Sequence, residues 1–291
     1  MKLTIAFGAM ALALTTPAHA QIRPEWIKSV APFRVAGNVY FVGTEGIGVY
    51  LIAAGRQAIL LDGGLEQNAS QVEKNIRALG FKLSDVRIIL NSHAHFDHAG
   101  GIARLKADTG AAFYASPGDR SALEHGLHNG ETDYPRGRFP AVSVDHVLSD
   151  GQTIALGGVR MKATFTPGHT KGCTTWSTDV ITPNKVLTVV FPCSVSTGGN
   201  ILAGNTAYPD IVRDYQASFA KIGAMKADIV LTNHPDIADV LGREAKVKAG
   251  KADAFIDPKL LSRIVADGRE DFDKELARQT SNSLAKTKGK S

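Results

Sequence analysis

The chain has 291 residues, 44% of them hydrophobic and 21% charged. That balance excludes a disordered or fibrous protein and leaves room for a sizeable core, in one large domain or two small ones. The formal charge is +5. Its basic residues gather towards the C-terminus (Lys246, Lys248, Lys251, then Lys286, Lys288 and Lys290) without interleaved aromatics or a known module, so a nucleic-acid surface is not expected.

The N-terminus reads as a cleaved secretory signal over residues 1–20. Met1-Lys2 gives a positive start, Leu3 to Leu14 is largely apolar, and Ala18-His19-Ala20 is a small-x-small site. Cleavage after Ala20 makes Gln21 the first mature residue, and the apolar part is short for a permanent anchor. The expected compartment is therefore the periplasm, with no membrane partner after cleavage and a monomer in solution. In such an oxidising compartment Cys173 and Cys193, the only two cysteines, suggest a disulfide.

From Phe33 to Asp62 the pattern is β. Asn38 to Gly43, Val49 to Ala53 and Gln57 to Asp62 alternate with Gly-rich turns, as in an antiparallel meander. Asp62 closes the third strand, either as a carboxylate supporting a site behind the ligands or as a turn cap. Glu66 to Gly80 reads as a helix, with Val72, Ile76 and Leu79 on one stripe and Gly80 as its stop.

Val86 to Leu90 is short, apolar and β-branched, a buried strand. It runs into Ser92-His93-Ala94-His95-Phe96-Asp97-His98-Ala99-Gly100-Gly101, and a helix is expected from about Ala99 to Thr109. Four possible metal ligands thus lie on a strand-to-helix loop. Alternate side chains of extended backbone share a side, so His93 and His95 can converge on one point while Asp97 and His98 face a second. Imidazole and carboxylate both suit zinc.

Beyond it, Ala111 to Ala115 reads as a strand and Pro117 to about Leu127 as a helix. Residues 129–140 form a long Gly-, Pro- and charge-rich loop. His125 and His128, beside it, have no partner ligands nearby in sequence and read as surface histidines. Strands resume at Ala141 to Leu148, Thr153 to Leu156 and Val159 to Phe165, the last running into Thr166-Pro167-Gly168-His169-Thr170. Thr174 to Ser177 and Val186 to Phe191 continue the β set, and a helix follows near Asp210 to Met225. Asp228 to Thr232 is a last buried strand ending at Asn233-His234. A C-terminal helix is expected from Pro258 to about Leu276, and residues 282–291 read as a disordered tail. Histidine thus stands at three separate strand ends. Two successive β-then-α halves predict an α/β protein (α+β) built as a four-layer αββα sandwich, one domain over residues 21–281.

His-x-His-x-Asp-His, then Thr-Pro-Gly-His-Thr, then a late strand-end His resembles the metallo-β-lactamase superfamily over nearly the whole mature chain. After Phe191-Pro192-Cys193 stands Ser194, where superfamily hydrolases such as glyoxalase II carry a bridging Asp and subclass B1 enzymes a Cys. Ser194, the retained first His, Pro167 to Trp176, and Asn205 to Phe219 together resemble subclass B3. A thiolate ligand from the adjacent Cys193 is the second reading of that position. Lys171 departs from the Pro common in the subclass, and reads either as a determinant of substrate preference or as a solvated charge.

The resemblance implies two Zn2+ per chain, one on His93, His95 and His169, the other on Asp97, His98 and His234. It implies a class B enzyme, subclass B3, that opens the β-lactam ring of penicillins, cephalosporins and carbapenems by attack of a metal-held hydroxide. Asp97 would orient that hydroxide, and Ser194 and Ser196 would contact the substrate carboxylate. A Cys173–Cys193 bridge would then tie the first-zinc loop to the substrate-contact loop. The alternatives are hydrolysis of another activated acyl bond, a lactone or thioester, and a periplasmic zinc-binding protein without turnover.

Overall fold

A computed structural model describes residues 22–128, 130 and 137–288. The expected signal, residues 1–20, and positions 129 and 131–136 of the long loop lie outside the described residues.

The first half builds a seven-stranded sheet in sequence order, β1 (Phe33–Ala36), β2 (Val39–Phe41), β3 (Tyr50–Ala54), β4 (Gln57–Leu61), β5 (Val86–Leu90), β6 (Ala112–Ala115) and β7 (His146–Val147). Strands β1 to β4 pair antiparallel as a meander, and β4 to β7 pair parallel. The parallel part carries its crossovers on one face, in helices α2 (Ala69–Ala78), α4 (Ile102–Thr109) and α5 (Pro117–His125). The second half builds a five-stranded sheet of β8 (Thr153–Leu156), β9 (Val159–Phe165), β10 (Thr174–Ile181), β11 (Val186–Phe191) and β12 (Ile229–Val230), in the order β12-β11-β10-β9-β8. Helices α6 (Ile211–Gly223) and α8 (Leu260–Lys288) cover its outer side.

The sequence of β3, β4 and β5 explains why this sheet lies in the middle. A strand buried on both faces has no polar side to alternate with and reads as a near-continuous apolar run. Tyr50, Ile52, Ile59, Leu61, Ile88 and Leu90 pack towards the second sheet. Leu51, Ala58, Leu60 and Ile89 pack outward, against Val72, Ile76, Ile102 and Leu105 of the helices. The layers are therefore helices, sheet, sheet, helices, the expected αββα sandwich.

Two buried polar side chains bind the sheets together beside the future site. Trp176 Nε1–H donates to the Asn91 carbonyl at 3.0 Å, and Tyr50 OH donates to the Thr232 carbonyl at 2.6 Å. Both acceptors lie two residues before a strand-end histidine, so packing in the core fixes where His93 and His234 emerge.

Five elements differ from the sequence reading. The stretch 141–148 yields only β7, which belongs to the first sheet. Upstream of it, Val142 N–H donates to the Leu123 carbonyl of α5 and the Asp145 carboxylate takes the Phe113 N–H, so this segment spends its hydrogen bonds outside a ladder. The helix expected from Ala99 is broken into a single turn, α3 (Phe96–Ala99), and α4. At the break, a Cβ on Gly101 would lie 2.3 Å from the Gly63 carbonyl oxygen, so only glycine allows that approach. A short helix α1 (Pro24–Ile27) and a helix α7 (Val240–Lys248) arise where no element was expected. Finally, α8 continues through 282–288, given above to a disordered tail. No Gly or Pro interrupts 277–288, and Arg278 and Gln279 both bond Glu275, so nothing ends the helix before Gly289.

Cys173 and Cys193 form a disulfide with Cα atoms 5.8 Å apart, across 20 residues of chain. The disulfide expected from the two cysteines is present, and the Cys193 sulfur is not available as a thiolate ligand. Closing a ring of this length stabilises by about 3 kcal/mol in the chain-entropy account. A Cys173→Ser, Cys193→Ser double variant is thus expected to melt several degrees lower, read by thermal unfolding against the oxidised parent. An unchanged midpoint would mean that the bridge constrains nothing.

Candidate metal centre

All six sequence-predicted ligands come together at the sheet ends. His93 and His95 leave β5 on extended backbone, Asp97 and His98 sit on α3, His169 follows β9, and His234 follows β12. His93, His95 and His169 form one group, and Asp97, His98 and His234 a second. In each group one donor atom per residue lies within 4.8 Å of the others. The His93 ring stands 4.4 Å from that of His98, so the two groups adjoin.

Hydrogen bonds on the far side of each ring decide which nitrogen faces the centre. His169 Nδ1–H donates to the Ser196 carbonyl at 2.8 Å, and His234 Nδ1–H to the Gly46 carbonyl at 3.1 Å. The Ser92 hydroxyl donates to Asp62 Oδ2 at 2.7 Å, which leaves its oxygen to accept from His93 Nδ1–H at 3.0 Å. These three rings present Nε2. His95 Nε2 lies 3.1 Å from His128 Nδ1, so His95 presents Nδ1. Such outer partners fix tautomer and ring orientation for a metal.

Electrostatics favour Asp97 and His234 in their binding forms. Burial alone would raise the Asp97 carboxyl, but His98 Nε2 at 3.2 Å and His234 Nε2 at 3.4 Å hold it well below the usual carboxylate range. It is ionised at neutral pH, as a ligand must be. Burial and the neighbouring His98 charge hold His234 below the ordinary imidazole value. Asp97 Oδ2 lies within 3.4 Å of both His98 Nε2 and His234 Nε2, so the three donors converge on one point where a shared cation would satisfy them all. Three imidazoles in one group, and two imidazoles with a carboxylate in the other, form donor sets that suit a borderline metal and leave positions open. The residues present therefore fit two metal ions.

Above the two groups opens a cavity of about 300 Å³, lined by Trp26, Phe96, Ser196, Gly198 and Gly199 together with Arg23 and every ligand but His93. It shares Arg23, Trp26, Ser196 and His234 with an adjoining groove of about 510 Å³. Of the two serines singled out above, Ser196 lines both spaces, while Ser194 is not among the lining residues and bonds Ser196 at 3.0 Å between hydroxyls. Lys171 is exposed yet partnered: it donates to the Ala207 carbonyl at 2.7 Å and lies over the Tyr208 ring.

Three residues of the site, Trp26, Asp119 and His128, do not show in the sequence as parts of it. Trp26 on α1 stacks 5.6 Å from His234 and 6.1 Å from Phe96, closing one wall. Pro24 at a helix start is the one local signal that pointed there. Asp119 is buried beneath the ligand loops. Asp62 is a support and a strand end at once: with φ +65 it accepts from Asn91 Nδ2, Ser92 N–H and the Ser92 hydroxyl. His128, read as a surface histidine, is half-buried against His95, whereas His125 is exposed as expected. The His95–His128 contact spans 33 residues, and no local pattern reports it.

The sequence profile of the metallo-β-lactamase superfamily matches residues 42–234, and the chain belongs to that superfamily. Among solved structures it is similar to the subclass B3 metallo-β-lactamase BJP-1 of Bradyrhizobium japonicum, at 40% identity and a TM-score of 0.85 over 89% of this chain and 98% of that one. It is similar too to the FEZ-1 metallo-β-lactamase from Legionella gormanii, at 36% identity and a TM-score of 0.83 over 87% and 98% of the two chains. A hydroxyacylglutathione hydrolase of Gloeobacter violaceus is 37% identical over 120 residues, 41% of this chain and 38% of that protein. The chain spans about half or less of the first curated relatives it matches, 51%, 26% and 38% of their lengths. Among the described residues no helix is long and apolar enough to cross a membrane.

Proposed function

We propose that the chain is a zinc-dependent hydrolase of the periplasm that opens the β-lactam ring of penicillins, cephalosporins and carbapenems, acting as a monomer after loss of residues 1–20. The observation that carries this reading is the pair of adjoining three-ligand groups on the floor of an open cavity, with Ser194 where other branches hold an Asp or Cys ligand. The likeness to subclass B3 structures along 89% of the chain supports it.

Zinc ions held there would supply a water of lowered pKa and an electrophilic pole for the acyl oxygen. The chain's own residues do the rest. Asp97, ionised and buried, accepts a proton-bearing bond from the reacting water and fixes its direction. The water oxygen joins the ring carbonyl carbon, the C–N bond breaks, and a proton given up by the water ends on the leaving nitrogen. Ser196, on the cavity wall, donates to the substrate carboxylate, with Ser194 bonded to it as support. Trp26 and Phe96 keep bulk water off one side.

A second reading, hydrolysis of an acyl thioester or lactone, is favoured by the hydroxyacylglutathione hydrolase relatives. A substrate panel separates them. With zinc-loaded protein, kcat/KM for a chromogenic cephalosporin is expected to exceed that for an acyl thioester and an acyl lactone by orders of magnitude. The reverse order would replace the β-lactam reading, and no turnover of any would leave a zinc-binding protein.

A further inference from the structure

Asp119 is a buried carboxylate on the first turn of α5, outside both ligand groups and without a cation beside it among the described residues. Its surroundings are unusual for a structural Asp. Oδ2 accepts from the Ala94 N–H at 2.8 Å, and Ala94 is the residue between His93 and His95. The same oxygen accepts from the Thr170 hydroxyl at 2.8 Å, and Thr170 directly follows His169. Oδ1 accepts from the Gly172 N–H at 2.9 Å. One side chain thus holds both loops that carry the three-imidazole group, and its carboxylate bonds Ala94, Thr170 and Gly172 rather than Asp97, His98 or His234. The approach is enforced from both sides. A Cβ on Gly118 would lie 2.4 Å from the Lys171 carbonyl oxygen, and one on Gly172 would lie 2.4 Å from the Asp119 nitrogen. The Ser116 hydroxyl adds a bond to the Gly172 carbonyl at 2.7 Å. Burial pushes the Asp119 carboxyl up to about 6, against the three donors that hold it down, so it is ionised at neutral pH.

We propose that Asp119 is a positioning residue that sets the spacing of His93 and His95 relative to His169, and so tunes metal affinity at the three-imidazole group alone. The proposal rests on the two-metal reading of the site. Three charge-assisted bonds from two loops converge on one rigid helix turn. Loosening them lets His169 drift from the other two imidazoles, and outer partners of this kind change metal affinity by about 10–100-fold. The Asp97, His98 and His234 group hangs on α3 and on the Gly46 contact of His234, which Asp119 does not touch.

The test measures zinc binding to apoprotein in two backgrounds. Asp97→Ala leaves the three-imidazole group intact, and His169→Ala leaves the other. Asp119→Asn keeps the shape but turns one acceptor into a donor facing a donor. It is expected to weaken zinc about tenfold or more in the first background and less than twofold in the second. Equal weakening in both, or none in the first, would overturn the proposal, since a merely structural role gives no such difference. Thr170→Val removes a single bond without disturbing the helix. If Asp119→Asn does not fold, a several-fold loss confined to the first background in Thr170→Val supports the proposal, and no loss ends it. Parent protein that binds no zinc in either background would refute the metal centre itself, and this proposal with it.

Discussion

Asp97→Ala is expected to cut kcat for β-lactam hydrolysis by about 10²–10⁴-fold or more, the range for a positioned group that handles a proton. The side chain does two things at once. It completes the second donor group, and its oxygen lies between His98 and His234, 3.2 and 3.4 Å from them. Alanine removes an anion from among buried imidazoles, so those rings lose the partner that offsets their burial. Ser196→Ala, in the same cavity, removes one hydrogen bond to substrate. That is worth about 0.5–1.5 kcal/mol, and up to about 3 kcal/mol with a carboxylate acceptor, and the loss falls mainly on KM. Steady-state kinetics of the two variants with one cephalosporin separates these roles. Comparable losses in kcat for both would contradict them.

Zinc is expected to raise the melting temperature of the stripped protein by about 10 °C or more. Binding to the folded state alone stabilises by about 4 kcal/mol per site when free zinc exceeds Kd a thousandfold, and each kcal/mol moves the midpoint of a chain near this size by about 2–4 °C. The physical source lies in the ligands themselves. His93, His95, Asp97, His98 and His169 are all less than one-tenth exposed, polar groups drawn from water for which a bound metal would be a common partner. Calorimetry with and without zinc reads the shift. A midpoint indifferent to zinc would mean that the six donors do not bind it in the folded state.

The ligand set was legible in the sequence for a local reason. Four of its six residues fall within His93 to His98, and the other two stand at strand ends marked by Gly-His-Thr and Asn-His-Pro. The layers were legible too, because the apolar runs at Tyr50–Ala54, Gln57–Leu61 and Val86–Leu90 announce strands covered on both faces. What stayed hidden is what only the folded chain brings together. Asp119 meets Thr170 across 51 residues, and Tyr50 meets Thr232 across 182. Trp26 reaches His234 from a one-turn helix too short for any periodicity to reveal. His128 was misread because its partner His95 is near only after α5 turns the chain back. Ala141 to Leu148 reads as a strand in sequence, yet the Val142 N–H is claimed by α5 and only His146–Val147 joins the sheet. Residues 282–291 read as a disordered tail, yet α8 runs through to Lys288, since no breaker stands before Gly289.

The most direct measurement is the rate of opening of a chromogenic cephalosporin as zinc is added stepwise to metal-free protein. With two donor groups of three ligands each, the rate is expected to climb from near zero and level off by two equivalents of zinc per chain, unaffected by compounds that acylate an active-site serine. Hydrolysis that persists in protein verified free of metal, or no hydrolysis at any zinc load, would contradict the account.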